Sequence, residues 1–204
     1  MRKQEILMDM HATAYPWKFN PSGWAHRWKI VVLAMIASGI SLYLGLYEWG
    51  VTSFAWDPVF GNQTEEVLKS EVSHMITEWI KLPDAILGSI AYFTEVIFAL
   101  AGSTRRWQDR PWLVILFGLD VIPLGVTSAI LVTMQGTVVG HWCFLCLCTA
   151  CVSLTLVFLA YQEVLCTVIY LHRVWKKDRS LFWPTLWGTP SHTAYKIGLN
   201  MEND

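Results

Sequence analysis

The sequence predicts an all-α, polytopic membrane protein: a four-helix bundle with both termini on the cytoplasmic side. Three observations carry that reading. Apolar residues make up 54% of the 204 residues and charged residues only 15%, against about 25% charged in a soluble domain. The apolar residues gather into four long runs separated by polar segments. Lys and Arg alternate between those segments in the way that orients membrane proteins. The length suits one domain. The net charge of −1 gives no reason to expect a nucleic-acid partner, so the expected surroundings are a lipid bilayer.

The first run is uncharged from Ile30 to Tyr47, and a helix needs about 20 apolar residues to cross the hydrocarbon. It is placed as a span over 30–48. The second span is placed at 85–102, with Glu95 inside it, and the third at 112–134, with Asp120 inside it. The fourth, at 142–162, carries no charge. Beyond Glu163, the apolar stretch from Val164 to Leu171 either extends the fourth helix or lies along the interface. It is too short to cross as a fifth span before His172. The membrane domain is therefore 30–171, between a cytoplasmic arm (1–29) and a cytoplasmic tail (172–204). The arm has no apolar core before Ile30, which argues against a signal peptide.

The loop charges set the orientation. The arm carries Arg2, Lys3, Lys18, Arg27 and Lys29; the segment between spans two and three carries Arg105, Arg106 and Arg110; the tail carries Arg173, Lys176, Lys177, Arg179 and Lys196. From Glu48 to Asp84 there are only Lys69 and Lys81 against seven acids, and the link from Gln135 to His141 has no Lys or Arg. Positive segments stay inside, which requires an even number of spans. The outer segment between spans one and two opens with the turn signal Asp57-Pro58. Its stretch from Glu65 to Trp79 is loosely amphipathic and suits a half-helix on the membrane surface. Asn62-Gln63-Thr64 matches a glycosylation acceptor, a match that is coincidental if the chain is bacterial. The Trp- and Pro-rich tail after Ser180 reads as irregular.

All five cysteines lie between Cys143 and Cys166, so a disulfide-stapled secreted framework is excluded. Cys143 and Cys146 open the fourth span. Two cysteines three apart share one helix face and reach disulfide distance if the first turn is distorted. Free N–H groups at a helix N-terminus favour a thiolate there, which makes Cys143 the more acidic thiol. An oxidisable dithiol at the outer leaflet, beside lipid-soluble oxidants, suggests electron exchange between protein thiols and a quinone. Against this stands the plainer role of cysteine as a small apolar filler, the role expected for Cys148, Cys151 and Cys166. With Cys143 at zero, Cys146, Cys148 and Cys151 fall at about 300°, 140° and 80° around the helix. That spread does not converge on one tetrahedral zinc, so no metal is expected.

Between about Ala25 and Leu171 the chain resembles the vitamin K epoxide reductase (VKOR) family of membrane thiol–quinone oxidoreductases. The resemblance rests on Val67-Leu68 with Ser70 in the outer loop, on the run from Leu82-Pro83-Asp84 through Gly88-Ser89-Ile90-Ala91-Tyr92, and on Trp142-Cys143-Phe144-Leu145-Cys146 opening the fourth span. It implies a VKOR-like four-helix bundle around a quinone, ubiquinone or menaquinone, in a bacterial inner (cytoplasmic) membrane. It implies that Cys146 faces the quinone and that Cys143 exchanges electrons with other thiols. The family carries a second cysteine pair in its first outer loop; here the segment from Trp49 to Leu82 has no cysteine. The internal relay is absent, and regeneration falls to an external thiol partner, an extracytoplasmic thioredoxin-fold protein.

The expected catalytic residues are Cys143 and Cys146. The expected quinone contacts are Tyr92, whose hydroxyl suits a quinone carbonyl, Ser89 one turn nearer the outer side, and Trp142 beside the pair. His141 either handles a proton or is an interfacial residue. Glu95 and Asp120 each cost several kcal/mol if ionised in lipid; they either share a proton at similar depth or hydrogen-bond as neutral carboxyls. Pro123 and Gly125 interrupt span three, either as a packing kink or to widen a cavity. The missing loop cysteines keep a second reading open, a non-catalytic accessory or structural subunit of a membrane complex derived from the same family.

Overall fold

The computed structural model describes residues 19–70 and 82–199, and its regular structure among them is helical, with no strand. In order come α1 (Trp24–Glu48), α2 (Gln63–Leu68), α3 (Asp84–Leu100), α4 (Arg106–Asp109), α5 (Pro111–Met134), a π-turn (Gln135–Val139), α6 (Phe144–Lys177), a 3-10 turn (Arg179–Leu181), α7 (Phe182–Leu186) and α8 (His192–Leu199). Helix α1, the segment Pro111–Val139 and helix α6 are each long and apolar enough to cross a membrane. Helix α3 has 17 residues, and a span needs about 17 at the least. A long helix thus occupies each of the four apolar runs, and the architecture is a membrane helical bundle.

The solvent-accessible faces are apolar. Helix α3 exposes Ile90, Phe93, Ile97 and Leu100, and α6 exposes Leu154, Phe158, Tyr161 and Val168. These spacings of three, four and seven trace one stripe along each helix. A soluble bundle would carry charges there; lipid makes such a stripe the favourable outer surface.

Of the two readings of the apolar stretch after Glu163, helix extension holds: α6 continues unbroken to Lys177, past residues 162 and 171. The tail is not irregular: it forms the 3-10 turn, α7 and α8, with Asp178 accepting from Ser180 N–H at 2.9 Å to start it. Of the amphipathic stretch expected over 65–79, residues 65–68 are helical as part of α2, with Val67 and Leu68 buried; residues 71–79 lie outside the described residues. Pro123 sits inside α5, which runs through it without a break.

The chain divides into two compact units. One comprises 30–97 and 120–158. Helices in lipid gain little from apolar burial against each other, so small residues and hydrogen bonds decide their packing. Gly45 on α1 is such a residue: a Cβ there would lie 3.0 Å from the backbone N of Ile86 on α3 and closer still to its side chain. Two turns from Gly45 and one from Ile86, Ser38 and Ser89 exchange hydrogen bonds, with Ser89 Oγ donating to Ser38 O at 3.0 Å and Ser38 Oγ to Ser89 O at 3.1 Å. Gly125 on α5 lies against Val157 on α6 in the same way. An open, almost wholly apolar groove of about 430 Å³ runs there between α5 and α6, lined by Ile122, Val126, Ile130 and Leu154 among others.

The other unit comprises 1–29, 98–119 and 159–204. Its centre is a buried charged cluster. The last carbonyls of a helix have no partner within it, and here guanidinium groups serve those at the end of α3. Arg27 donates to Ala99 O at 2.5 Å, Ala101 O at 2.7 Å and Gly102 O at 3.0 Å. Arg106 donates to Phe98 O and to Ala101 O at 2.9 Å. Glu163 balances the charge: it pairs two-pronged with Arg106 at 2.6 Å and 2.7 Å and accepts from Ser22 Oγ at 2.5 Å. Beside the cluster Trp107, Cys166, Tyr170, Val174, Ala194 and Ile197 form an apolar core, with Trp107 edge-on to Tyr170. Helix α8 supplies two of these residues, which is why the tail is ordered.

Candidate dithiol site

Cys143 is the residue before the first turn of α6. Its carbonyl accepts the first helical hydrogen bond, from Leu147 N–H at 3.0 Å, so it stands at the N-cap position. Cys143 and Cys146 are joined as a disulfide with Cα atoms 5.2 Å apart. The sequence reading asked for a distorted first turn to allow this. None is needed, because the N-cap residue lies outside the helical backbone and its side chain folds back over the first turn. Cys146 N–H points at Cys143 Sγ at 3.1 Å, the bond an N-cap oxygen makes with the third residue of a helix. A thiolate on Cys143 would receive that same N–H.

Three side chains that the sequence reading did not place in the site serve the backbone around this sulfur. Gln63 Oε1 accepts from Trp142 N–H at 3.0 Å. Gln135 Oε1 accepts from Cys143 N–H at 3.2 Å. Asp57 Oδ2 accepts from Phe144 N–H at 3.4 Å. The uncharged link from Gln135 to His141 is what aims Gln135. Residues Gln135–Val139 form a π-turn that Gly140 closes with a left-handed φ of 70°, and Gln135 is buried. Asp57-Pro58 read as a turn signal, which was right about the backbone and silent about the carboxylate. Asp57 Oδ1 accepts from Val59 N–H at 2.9 Å and Phe60 N–H at 2.7 Å, and Oδ2 from Thr64 Oγ1 at 2.5 Å. Burial pushes the acidity of Asp57 in the weakening direction. The Thr64 hydroxyl and the amides of Phe60, Val59 and Phe144 outweigh it and hold the carboxyl below its ordinary 3.8.

Around the disulfide, Leu44, Ala55, Val67, Leu68 and Leu145 form an apolar cluster that takes in Cys143 itself, and Trp56 packs edge-on against Phe144 with ring centroids 6.2 Å apart. Cys143 is 0% exposed, whereas Cys146 is half-buried.

The remaining candidates separate from the sulfurs by depth. Tyr92 donates to Thr149 O at 3.4 Å and shares a short hydrogen bond with Ser153, which in turn meets Ser128 at 3.0 Å. Thr149 and Ser153 lie about 4.5 Å and about 10 Å along α6 from Cys146, at 1.5 Å per residue. Ser89 is committed to Ser38. Trp142 is 38% exposed and lies against Gly136, where a Cβ would come within 2.8 Å of its ring. His141 is exposed. Cys148 is half-buried, Cys151 exposed and Cys166 buried, so the filler role suits Cys166 and not Cys151. Glu95 is 1% exposed, and Glu95 Oε2 and Asp120 Oδ2 are both buried without a hydrogen-bond partner.

No curated protein matches the chain significantly. The sequence model of the vitamin K epoxide reductase family matches residues 28–161, more than half of the chain, from the first turns of α1 through the dithiol and about the first half of its helix. A helical membrane bundle with a cysteine pair opening its last long helix, matched over that length, belongs to the vitamin K epoxide reductase family.

Proposed function

We propose that the protein is a membrane thiol:quinone oxidoreductase. Membership in the family supports a membrane redox function in general. The observation that carries the finer reading is the cysteine pair itself, bonded to each other across the N-cap of a membrane-spanning helix. A dithiol that closes to a disulfide releases two electrons and two protons, the number a quinone takes up to become a quinol. In this reading Cys143 and Cys146 are catalytic. Cys146, the half-buried sulfur, faces the quinone, and Cys143 exchanges with an external dithiol of a thioredoxin-fold partner on the extracytoplasmic side of a bacterial inner membrane.

The residues present fit a quinone in part. The donor chemistry matches, and Trp142 offers a partly exposed aromatic face beside the pair. The hydroxyls of Ser89 and Tyr92 already have protein partners, so contact with a quinone head requires those bonds to be shared or exchanged. The chain's own part is to hold both sulfurs at one helix end, to supply Cys146 N–H to the Cys143 sulfur, and to shield the pair beneath the Asp57–Thr64 segment. The test is quinone reduction by the full-length protein in lipid with a dithiol donor. Wild type reduces ubiquinone or menaquinone and Cys146→Ser does not; a Cys146→Ser variant as active as wild type refutes the mechanism.

One observation favours the second reading, an accessory or structural subunit. Cys143 is fully buried beneath a loop without cysteine, and a thiol partner cannot touch it in this conformation. Thiol trapping in the native membrane decides: if Cys143 and Cys146 never form a disulfide there, the accessory reading gains.

A further inference from the structure

The loop that lacks cysteines brings a carboxylate to the dithiol instead. Asp57 Oδ2 lies on Phe144 N–H, the first helical amide of α6, at 3.4 Å. The residue before Phe144 is Cys143, whose sulfur lies 3.1 Å from Cys146 N. Sulfur and carboxylate therefore share one helix terminus. Such a terminus favours a thiolate by offering free N–H groups and the positive end of the helix dipole. A carboxylate already seated there occupies one of those groups and adds a like charge. The seat is rigid: Val59 N–H, Phe60 N–H and the Thr64 hydroxyl all hold the same side chain.

We propose that Asp57 is a positioning residue of the dithiol, a fixed anion at the N-terminus of α6 that opposes ionisation of the Cys143 sulfur and so makes the reduced pair a better electron donor. This rests on the oxidoreductase reading above. The disulfide is uncharged and indifferent to Asp57; only the thiolate is penalised. When the pair oxidises, the S–S bond forms, and two electrons and two protons leave for a quinone, which becomes a quinol. Raising the free energy of the ionised dithiol drives that transfer forward. Asp57 itself keeps its charge through the range in which thiols titrate, since its carboxyl is held below 3.8.

Other titratable groups stand on the surrounding described elements: Tyr43, Tyr47 and Glu48 on α1, Glu65, Glu66 and Lys69 on and just after α2, Asp84 at the start of α3, and His141. Lys69 is drawn to Glu65 at 3.2 Å. All are common to wild type and to an Asp57 variant, so they cancel in a comparison of the two.

The experiment equilibrates full-length wild type, Asp57→Asn and Asp57→Glu in detergent with mixtures of reduced and oxidised dithiothreitol at pH 6 and pH 9. Thiols are trapped, and the peptide carrying Cys143 and Cys146 is read by mass. At pH 9 the Asp57→Asn pair is expected to be reduced with an equilibrium constant about tenfold above wild type, equivalent to about 30 mV for a two-electron couple. At pH 6, where the higher proton concentration favours the uncharged thiol over the thiolate, the two constants draw together. Asp57→Glu follows wild type at both values. Equal displacement at both pH values, a null result at pH 9, or Asp57→Glu moving with Asp57→Asn overturns the proposal. No quinone enters this measurement. Failure of wild type to reduce a quinone would sink the oxidoreductase reading, while the pH-dependent shift would still report on Asp57.

Discussion

Replacing Glu163 by Gln removes the anion from a buried site that holds two guanidinium groups. The structure sets the size of the effect. The Glu163 and Arg106 side chains are both 0% exposed. Glu163 receives two bonds from Arg106, at 2.6 Å and 2.7 Å, and one from Ser22 at 2.5 Å. Breaking a buried pair from one side costs about 3–5 kcal/mol, because the remaining charge is left uncompensated. Arg106 keeps its bonds to Phe98 O and Ala101 O, which softens the loss. Arg27, donating to the same Ala101 carbonyl, adds a second positive charge and deepens it. The amide of Gln preserves volume but turns an N–H donor toward a guanidinium, so we expect about 3–4 kcal/mol. The assay is reversible unfolding in mixed micelles, followed by Trp fluorescence, on Glu163→Gln, Arg106→Gln and the double variant. The double variant should cost less than the sum of the singles by about 2 kcal/mol, the coupling of residues that share a network. A Glu163→Gln variant within about 1 kcal/mol of wild type, or strictly additive singles, would show that the pair is not the electrostatic unit described.

Three further outcomes follow from local geometry. Gly45→Ala should cost about 1–3 kcal/mol of overpacking, because its Cβ meets the Ile86 backbone N at 3.0 Å; Gly39→Ala, with nothing within 4 Å, should be neutral or slightly stabilising through helix propensity, and the same micelle unfolding assay separates them. Gly198→Ala should loosen α8, because the new Cβ would fall on the buried Gln108 amide; limited proteolysis should then cleave residues 182–199 faster than in wild type. Asp57 has a lowered pKa, so the stability it gives its turn is present above the ordinary carboxyl value of 3.8 and is lost as pH falls through its own lower value. Amide-exchange protection at Val59 and Phe60 should hold from pH 7 to pH 5 and vanish only below that value; loss of protection already at pH 5 would contradict the hydrogen bonds assigned to Asp57.

The sequence revealed the bundle because lipid imposes a one-dimensional constraint. A run such as 30–47 must be a helix once it is apolar and long enough, since its backbone has no other partner in hydrocarbon. The same constraint made the end of the fourth helix illegible. Glu163 looks like a boundary in a hydropathy trace, and only the partner Arg106, 57 residues away, makes it an interior residue. The tail failed for a related reason: Ala194 and Ile197 are ordinary residues of an unremarkable stretch until Trp107 and Tyr170 supply the surface they pack on. The dithiol was legible because Cys143 and Cys146 carry their chemistry in their identity and spacing. Asp57, Gln63 and Gln135 were not, because a loop acid and two glutamines have many roles, and their aim depends on the turns around them.

Burial of the two sulfurs constrains how electrons can enter in the proposed reaction. Cys143 is sealed by Leu44, Ala55, Val67 and Leu68 under a segment anchored to α6 by Asp57 and Gln63. A partner dithiol must attack a sulfur in line with the disulfide, so that segment has to lift before Cys143 can exchange. The segment is held to α6 by one amide hydrogen bond from Asp57, one from Gln63 and the edge contact of Trp56 with Phe144, to α1 by the Tyr43 hydroxyl, which donates to Phe54 O and accepts from Trp56 N–H, and by the apolar side chains around Cys143. Each hydrogen bond is worth about 1 kcal/mol net, so removing the two on α6 lowers the cost of lifting the segment without touching the helices beneath it. A family member with loop cysteines carries its own thiol into that space. Here the space holds an acid and apolar side chains, and a visiting thiol must displace them. If Asp57→Asn and Gln63→Ala together speed disulfide exchange with a small thiol while leaving the unfolding midpoint of the helices in place, the segment is the barrier to electron entry. If exchange is unchanged, the sulfurs are reached from the Cys146 side, and the roles proposed for the two cysteines must be reversed.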